Sequence, residues 1–302
     1  MSETSPTIVF HAGAHKTATT HLQHSILGTR GPLEKAGVRF FGPSTLRQPG
    51  SRIEARFNLR FNPRKSVADM RDADVVLSDM LDGGKRLVLS EENFIGTLFD
   101  RKADGPLHRM PMPLYPDAAL RLNALAAKVA PENGIELCLA IRDPAGFLNS
   151  AYGLALQAGS CVAMDRFKWH NPMQDIDWVG LIGRLRRSAG IRRLTIWRYE
   201  DYHDLFDPIM GALLGPDAPR VRPIDRLVNG GLSAAAVQFT LDHHAEGVDG
   251  PLVQLARDTH PVGPDSPPHD GFDAEERALS LAFYDQQVEI IAQMDGVTLL
   301  RP

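Results

Sequence analysis

Between residues 13 and 20 the chain reads Gly13-Ala14-His15-Lys16-Thr17-Ala18-Thr19-Thr20, one lysine among small and hydroxyl side chains. Such a set suits binding of an anion. A lysine brings a point charge, threonine hydroxyls bring neutral donors, and a glycine lets backbone N–H groups approach closely. The apolar run Ile8-Val9-Phe10 before it predicts a strand buried on both faces, and Thr17 to Leu27 after it predicts a helix. A strand, a glycine turn and a helix start make a phosphate cradle, because the first N–H groups of a helix lack internal partners and its dipole favours negative charge there. The spacing differs from the G-x-x-x-x-G-K-[ST] loop of ATP and GTP sites. Gly13 lies only three before Lys16, and His15 stands where the second glycine would be.

Two further clusters sit at predicted strand ends. The buried strand over Ile135 to Ile141 runs into Arg142-Asp143-Pro144. Asp143 is a good N-cap and Pro144 suits the first helical position, so Arg142 falls at the strand tip and Ser150 about two turns into the next helix. A guanidinium and a hydroxyl so placed can share a phosphate, although an Arg-Asp pair could equally tie the turn together. The strand Arg86-Leu87-Val88-Leu89-Ser90 runs into Glu91-Glu92. Carboxylates there stand either at the ligand-binding edge of a parallel sheet or at a charged helix start. That strand does not end in Asp, which counts against a Mg²⁺-nucleotide site.

Taken in this order, the motifs resemble sulfotransferases that use 3′-phosphoadenosine 5′-phosphosulfate (PAPS). Their loop reads roughly G-x-x-K-[TS]-[GA]-[TS]-[TS], and Ala18 stands where many members have glycine, tolerable if that position is already helical. The strand-R-D-P-helix-S arrangement resembles their 3′-phosphate element. The resemblance implies a P-loop-like α/β/α fold with a mostly parallel sheet, in-line transfer of a sulfuryl group from PAPS to a hydroxyl or amine of an acceptor, the bisphosphate PAP as product, and no metal. It implies that Lys16 neutralises the leaving phosphate. Gly13, Ala14, His15, Thr17, Ala18, Thr19 and Thr20 would form the 5′-phosphate loop, and Arg142 and Ser150 would hold the 3′-phosphate. A Ser-x-Glu strand end such as Ser90 to Glu92 is common near the acceptor. Glu92 is the first candidate for general base, Glu91 the second, and His11 or His15 the third, with His11 expected to be a packed strand-end residue and His15 to face solvent. The exit Tyr199-Glu200-Asp201 and the run Asn229 to Ser233 also look like the family, and Arg220 to Arg226 could close over the nucleotide. The alternatives are a P-loop kinase or NTPase using Mg-ATP, and a nucleotide-binding protein without turnover.

The elements that must position these groups follow from pattern. Strands are expected at Val38 to Phe41, Arg193 to Arg198 and Val297 to Leu300. Helices are expected at Leu33 to Ala36 after a break at Arg30-Gly31-Pro32, and at Val67 to Leu81. Others are expected from Asp117 as cap to Ala130, at Pro144 to Gln157, Ile176 to Ala189, Tyr202 to Leu214, from a cap at Ser233, and at Phe272 to Met294. Loops 44–64, 97–116 and 160–175 are expected to shape the pocket of a small-molecule, carbohydrate or lipid acceptor. His260 and His269 read as surface residues. With 302 residues, 43% hydrophobic and 23% charged, one domain over 1–302 is expected. A net charge of -4 speaks against a nucleic-acid binder. Cys138 and Cys161 make neither a disulfide framework nor a zinc spacing. No apolar run is long enough to span a membrane, and the default compartment is the cytoplasm.

Overall fold

A computed structural model of the chain describes residues 5–61, 72–99, 108–225 and 230–302. Arg226, Asn229, the end of the 44–64 loop, the start of the helix expected from Val67 and the centre of the 97–116 loop lie outside the described residues. Six strands form one sheet: β1 Thr7–His11, β2 Val38–Phe41, β3 Arg86–Ser90, β4 Ile135–Ile141, β5 Ile191–Arg198 and β6 Val297–Leu299. Their order is β2-β3-β1-β4-β5-β6, and every pairing is parallel. The expected α/β fold is therefore the observed one.

β1 lies at the centre because its residues are apolar on both faces. Ile8 and Phe10 join one core with the helices Ala73–Leu81, Ala118–Val129, Pro144–Gln157, Trp178–Arg186 and Ala274–Ala292. Val9 joins the other core, with the helices Thr19–Leu27, Arg30–Lys35 and Phe206–Leu214. The result is three layers, with two continuous cores holding the sheet between helices. The chain first goes from β1 toward β2 and β3, then crosses to β4, β5 and β6 on the other side. The strand order reverses at β1, and in open α/β sheets such a switch point leaves a crevice beyond the carboxyl ends of the strands. The loop from Ala12 to Ala18 leaves β1 at that place.

Several expectations need correction. The first helix starts at Thr19 and not at Thr17. Arg30-Gly31-Pro32 is the first turn of a helix, Arg30–Lys35, and not a break, since proline is tolerated in a first turn. Residues 165–175 are not a loop: they hold the helix Met164–His170 and the 3₁₀ turn Met173–Asp175, anchored by Phe167 and by Asn171, both fully buried. Asn171 supplies what a loop reading could not foresee, bonding Met110 N, His108 O and Phe167 O at 2.8 Å each. The 44–64 stretch contains two single-turn helices, Pro43–Leu46 and Ile53–Arg56. Asp117 precedes its helix without a side-chain cap bond. The caps at Asp143 and Ser233 are as expected, with Gly146 N donating to Asp143 Oδ2 at 2.8 Å and Ala236 N to Ser233 Oγ at 3.0 Å.

Candidate active site

β1 ends at His11, and Ala12 N donates to Cys138 O at 3.0 Å, which carries the β4 pairing one residue further. The chain then turns sharply. Gly13 has φ +45°, and a Cβ there would stand 2.7 Å from Thr19 Oγ1, so only glycine fits. Lys16 and Ala18 are also left-handed, at φ 68° and 61°. Ala18 is thus not already helical, as the tolerance of alanine there required. Each such non-glycine residue costs roughly 1–2 kcal/mol. Strain of this kind persists where neighbours over-determine the backbone, and here they do. Thr17 Oγ1 donates to Ala14 O at 2.7 Å, and Arg142 Nη1 donates to Lys16 O at 2.7 Å. His15 N donates to Tyr115 OH at 3.0 Å.

The His15 imidazole is buried, contrary to the solvent-facing position expected for it. Its Nδ1 lies 2.8 Å from Tyr115 OH and its Nε2 3.0 Å from Asn93 Oδ1. The amide of Asn93 offers only its oxygen here, so Nε2 carries the proton and Nδ1 accepts from the tyrosine. Burial pushes the His15 pKa below its ordinary value against the opposing Asn93 bond, so the ring is neutral. Both ring nitrogens are occupied, which removes His15 from the general-base candidates and makes it a brace for the loop. His11 is packed as expected, stacked on Trp197 and bonded through Nδ1 to Ser90 Oγ at 2.8 Å, and burial lowers its pKa to about 4.

The helix Thr19–Leu27 points its N-terminus at the mouth of this loop, and its first turn holds no acidic residue. Leu22 and Ile26 anchor it in the core, each worth roughly 1.5–3 kcal/mol by burial. Thr19 Oγ1 is buried without a hydrogen-bond partner. No carboxylate among the described residues lies within ion-pair distance of Lys16. Burial, then Arg142, then Arg257 push the Lys16 pKa down. Arg142 reaches the loop from the tip of β4, its guanidinium 4.1 Å from the ring centre of Tyr199. Asp143 makes no ion pair with it. Asp143 instead accepts from Ser280 Oγ at 2.5 Å and faces Arg277 at 3.7 Å. The turn-tying Arg-Asp pair is therefore absent, and Arg142 is turned toward Lys16.

Sequence reasoning missed Arg257, on the helix Leu252–Thr259, whose Nε is buried without a hydrogen-bond partner. No local signal separates it from an ordinary basic residue in a last helical turn. Ser150 is half-buried, two turns along Pro144–Gln157. No described contact joins it to Arg142 or Lys16. Its neighbour Asn149 ties this helix to the C-terminal segment through His269 O at 2.9 Å and Gly271 N at 3.0 Å. His269 is accordingly half-buried there and not a plain surface residue. Arg220 is held away in an exposed pair with Asp207 at 2.9 Å, and Arg222 is exposed.

On the other side of the loop, Glu91 and Glu92 meet Arg47, a residue of the 44–64 stretch not singled out from sequence. Arg47 holds Glu91 with two bonds, of 2.8 and 2.7 Å, and Glu92 Oε1 with one of 2.8 Å. Burial alone would raise the Glu92 carboxyl, but Arg47, its own backbone N–H and His15 together hold the group below the usual carboxylate range.

Fold and site together define an α/β protein with a strained loop at the switch point of a parallel sheet, where Arg142 and Arg257 bear on Lys16. No family model and no curated protein matches the chain. Among solved structures it is similar to a sulfotransferase from Alicyclobacillus acidocaldarius, at 14% identity over 84% of this chain and 97% of that one, with a TM-score of 0.41. Among the described residues, no helix is long and apolar enough to cross a membrane, and no cluster of metal-ligating side chains is present.

Proposed function

We propose that the chain transfers a sulfuryl group from PAPS to an acceptor hydroxyl by in-line displacement. The observation that carries this reading is the convergence of Lys16, Arg142 and Arg257 at a strained loop with no carboxylate paired to the lysine. Like charges brought together in a partly buried place repel one another, and the arrangement is stable only if an anion completes it. The unpartnered Thr19 Oγ1 and Arg257 Nε are donors that such an anion would satisfy.

A donor with phosphate at both the 5′ and 3′ positions matches a cradle with more than one cation. In this reading Lys16 neutralises charge growing on the departing phosphate. The loop N–H groups, with Thr17, Thr19 and Thr20, receive the 5′-phosphate, and Arg142 with Ser150 receives the 3′-phosphate. Arg257 closes the same site from the C-terminal segment. Glu92 takes the acceptor proton, because His15 is occupied and Glu91 is saturated by Arg47. Little covalent work is asked of the protein: positioning and charge stabilisation do most of it.

Calorimetric titration with PAP, and in parallel with ATP plus Mg²⁺, tests the reading. Tight PAP binding with little ATP binding is expected. Mg²⁺-dependent ATP binding with no preference for a 3′-phosphate would move the chain to the kinases. PAP binding without PAP release from PAPS with any acceptor would make it a nucleotide-binding protein without turnover.

A further inference from the structure

The Arg47 cluster divides its two carboxylates unequally. Glu91 takes both arms of the guanidinium and also accepts from Asn93 N at 3.0 Å, so both its oxygens are engaged. Glu92 gives only Oε1 to Arg47, and its Oε2 is buried with no hydrogen-bond partner. That oxygen belongs to a residue lining a cleft of about 130 Å³, between Thr20 and Gln23 on one side and Pro43, Ser44 and Arg47 on the other. The cleft runs along the helix Thr19–Leu27, from Thr20 beside the loop to Leu27.

We infer that this cleft is the acceptor subsite, that Arg47 is the residue positioning Glu92 at it, and that it takes a slender, uncharged hydroxyl group such as a primary alcohol on a narrow arm. The inference rests on the transfer proposed above. Shape sets the first restriction: the cleft, of about 130 Å³, is walled by Thr20 and Gln23 on one side and Pro43, Ser44 and Arg47 on the other, so a hydroxyl on a narrow arm passes between the walls where a branched one meets them. Charge sets the second. Arg47 is committed to two carboxylates, which leaves the cluster one negative charge in excess. An acid group next to the acceptor hydroxyl would meet that excess. Charged or titratable groups facing Glu92 are Arg47, Glu91 through that shared arginine, the neutral His15 and His11, and Tyr115, with His24 on the same cleft. In the step itself the acceptor O–H proton passes to Glu92 Oε2 and the oxygen forms a bond to sulfur. The bond from sulfur to the phosphate oxygen breaks, and its electron pair leaves on that phosphate beside Lys16. The products are a sulfate monoester and PAP.

Two measurements test this. The first needs no donor: a ¹³C NMR titration of side-chain carboxyls in the full chain, with Glu92 assigned by Glu92→Gln. Glu92 should titrate below the ordinary carboxylate value, rise by about one to three units in Arg47→Met, and return most of the way in Arg47→Lys. A Glu92 unmoved by Arg47→Met overturns the positioning role. The second follows PAP release from PAPS with ethanol or glycolate as probe. Ethanol should raise the rate and glycolate, the same slender alcohol with a carboxylate, should not. Equal stimulation by glycolate overturns the charge restriction, and stimulation by neither overturns the cleft as a subsite for slender hydroxyls. Failure of PAP to bind by calorimetry would instead strike the transfer reading, and the Glu92 titration would still decide the role of Arg47.

Discussion

The two sides of the Gly13 to Thr20 loop handle charge in opposite ways. On one side Arg142 and Arg257 both bear on Lys16, which has no carboxylate partner among the described residues. On the other, Glu91 and Glu92 are gathered by a single arginine through bonds of 2.7–2.8 Å. The carboxylate side is nearly self-sufficient, since a bidentate arginine satisfies most of its lone pairs. The cationic side is left incomplete, with donors buried and unused. The carboxylate side leaves one buried oxygen, Glu92 Oε2, without a partner, and the cationic side leaves two donors, Thr19 Oγ1 and Arg257 Nε.

The largest effect should come from the incomplete side. Lys16→Ala is expected to lower kcat for PAP release by ~10²–10³, the scale of one charge-stabilising donor. Full activity in that variant would break the contrast, because the lysine would then be a solvated charge. Arg142→Ala should weaken PAP by about tenfold or more, and adenosine 5′-phosphosulfate far less, as calorimetry would read. Equal loss for both ligands would reassign Arg142 to bracing the loop through Lys16 O.

Beneath both sides lies a buried neutral layer, and pH should expose it. His11 is held neutral with a pKa of about 4, against 6.5 in its ordinary state. The unfolded chain therefore binds the proton more readily. Its contribution to stability is present above about pH 6.5 and is lost as pH falls toward 4, on the order of 3 kcal/mol at full effect. His15, lowered in the same direction, adds to the loss. Urea denaturation at pH 7 and pH 5 should show the decline, and His11→Gln should flatten it. A wild-type curve with no decline would remove the histidines from the account.

The smallest effect concerns the strained loop. Ala18→Gly relieves the left-handed alanine at φ 61° but adds freedom to the unfolded chain, so the gain should be within about 1 kcal/mol. A clear loss of stability in that variant would mean that Ala18 packs in a way its backbone strain does not reveal.

Much of the frame was legible in the chain because its signals are local. The apolar runs of β1, β3 and β4, the Asp143-Pro144 helix start and the Ser233 cap each depend on residues a few positions apart. The turn after β1 that carries Lys16 and the place of Arg142 at the tip of β4 were legible for the same reason. Locally irregular stretches were misread. Met164–His170 looked like loop because what holds it, buried Asn171 and Phe167, acts across the fold.

By itself the sequence determined the parallel α/β frame, the loop with its lysine, and the arginine at the tip of β4, since spacing and capping chemistry are written in neighbouring residues. Only the tertiary structure decided which distant groups join them. Arg257 arrives from the C-terminal segment, Arg47 draws Glu91 and Glu92 together, and Tyr115 with Asn93 turns His15 inward. Those choices depend on packing between elements far apart in the chain, where burial and charge compensation, and not local propensity, select the arrangement.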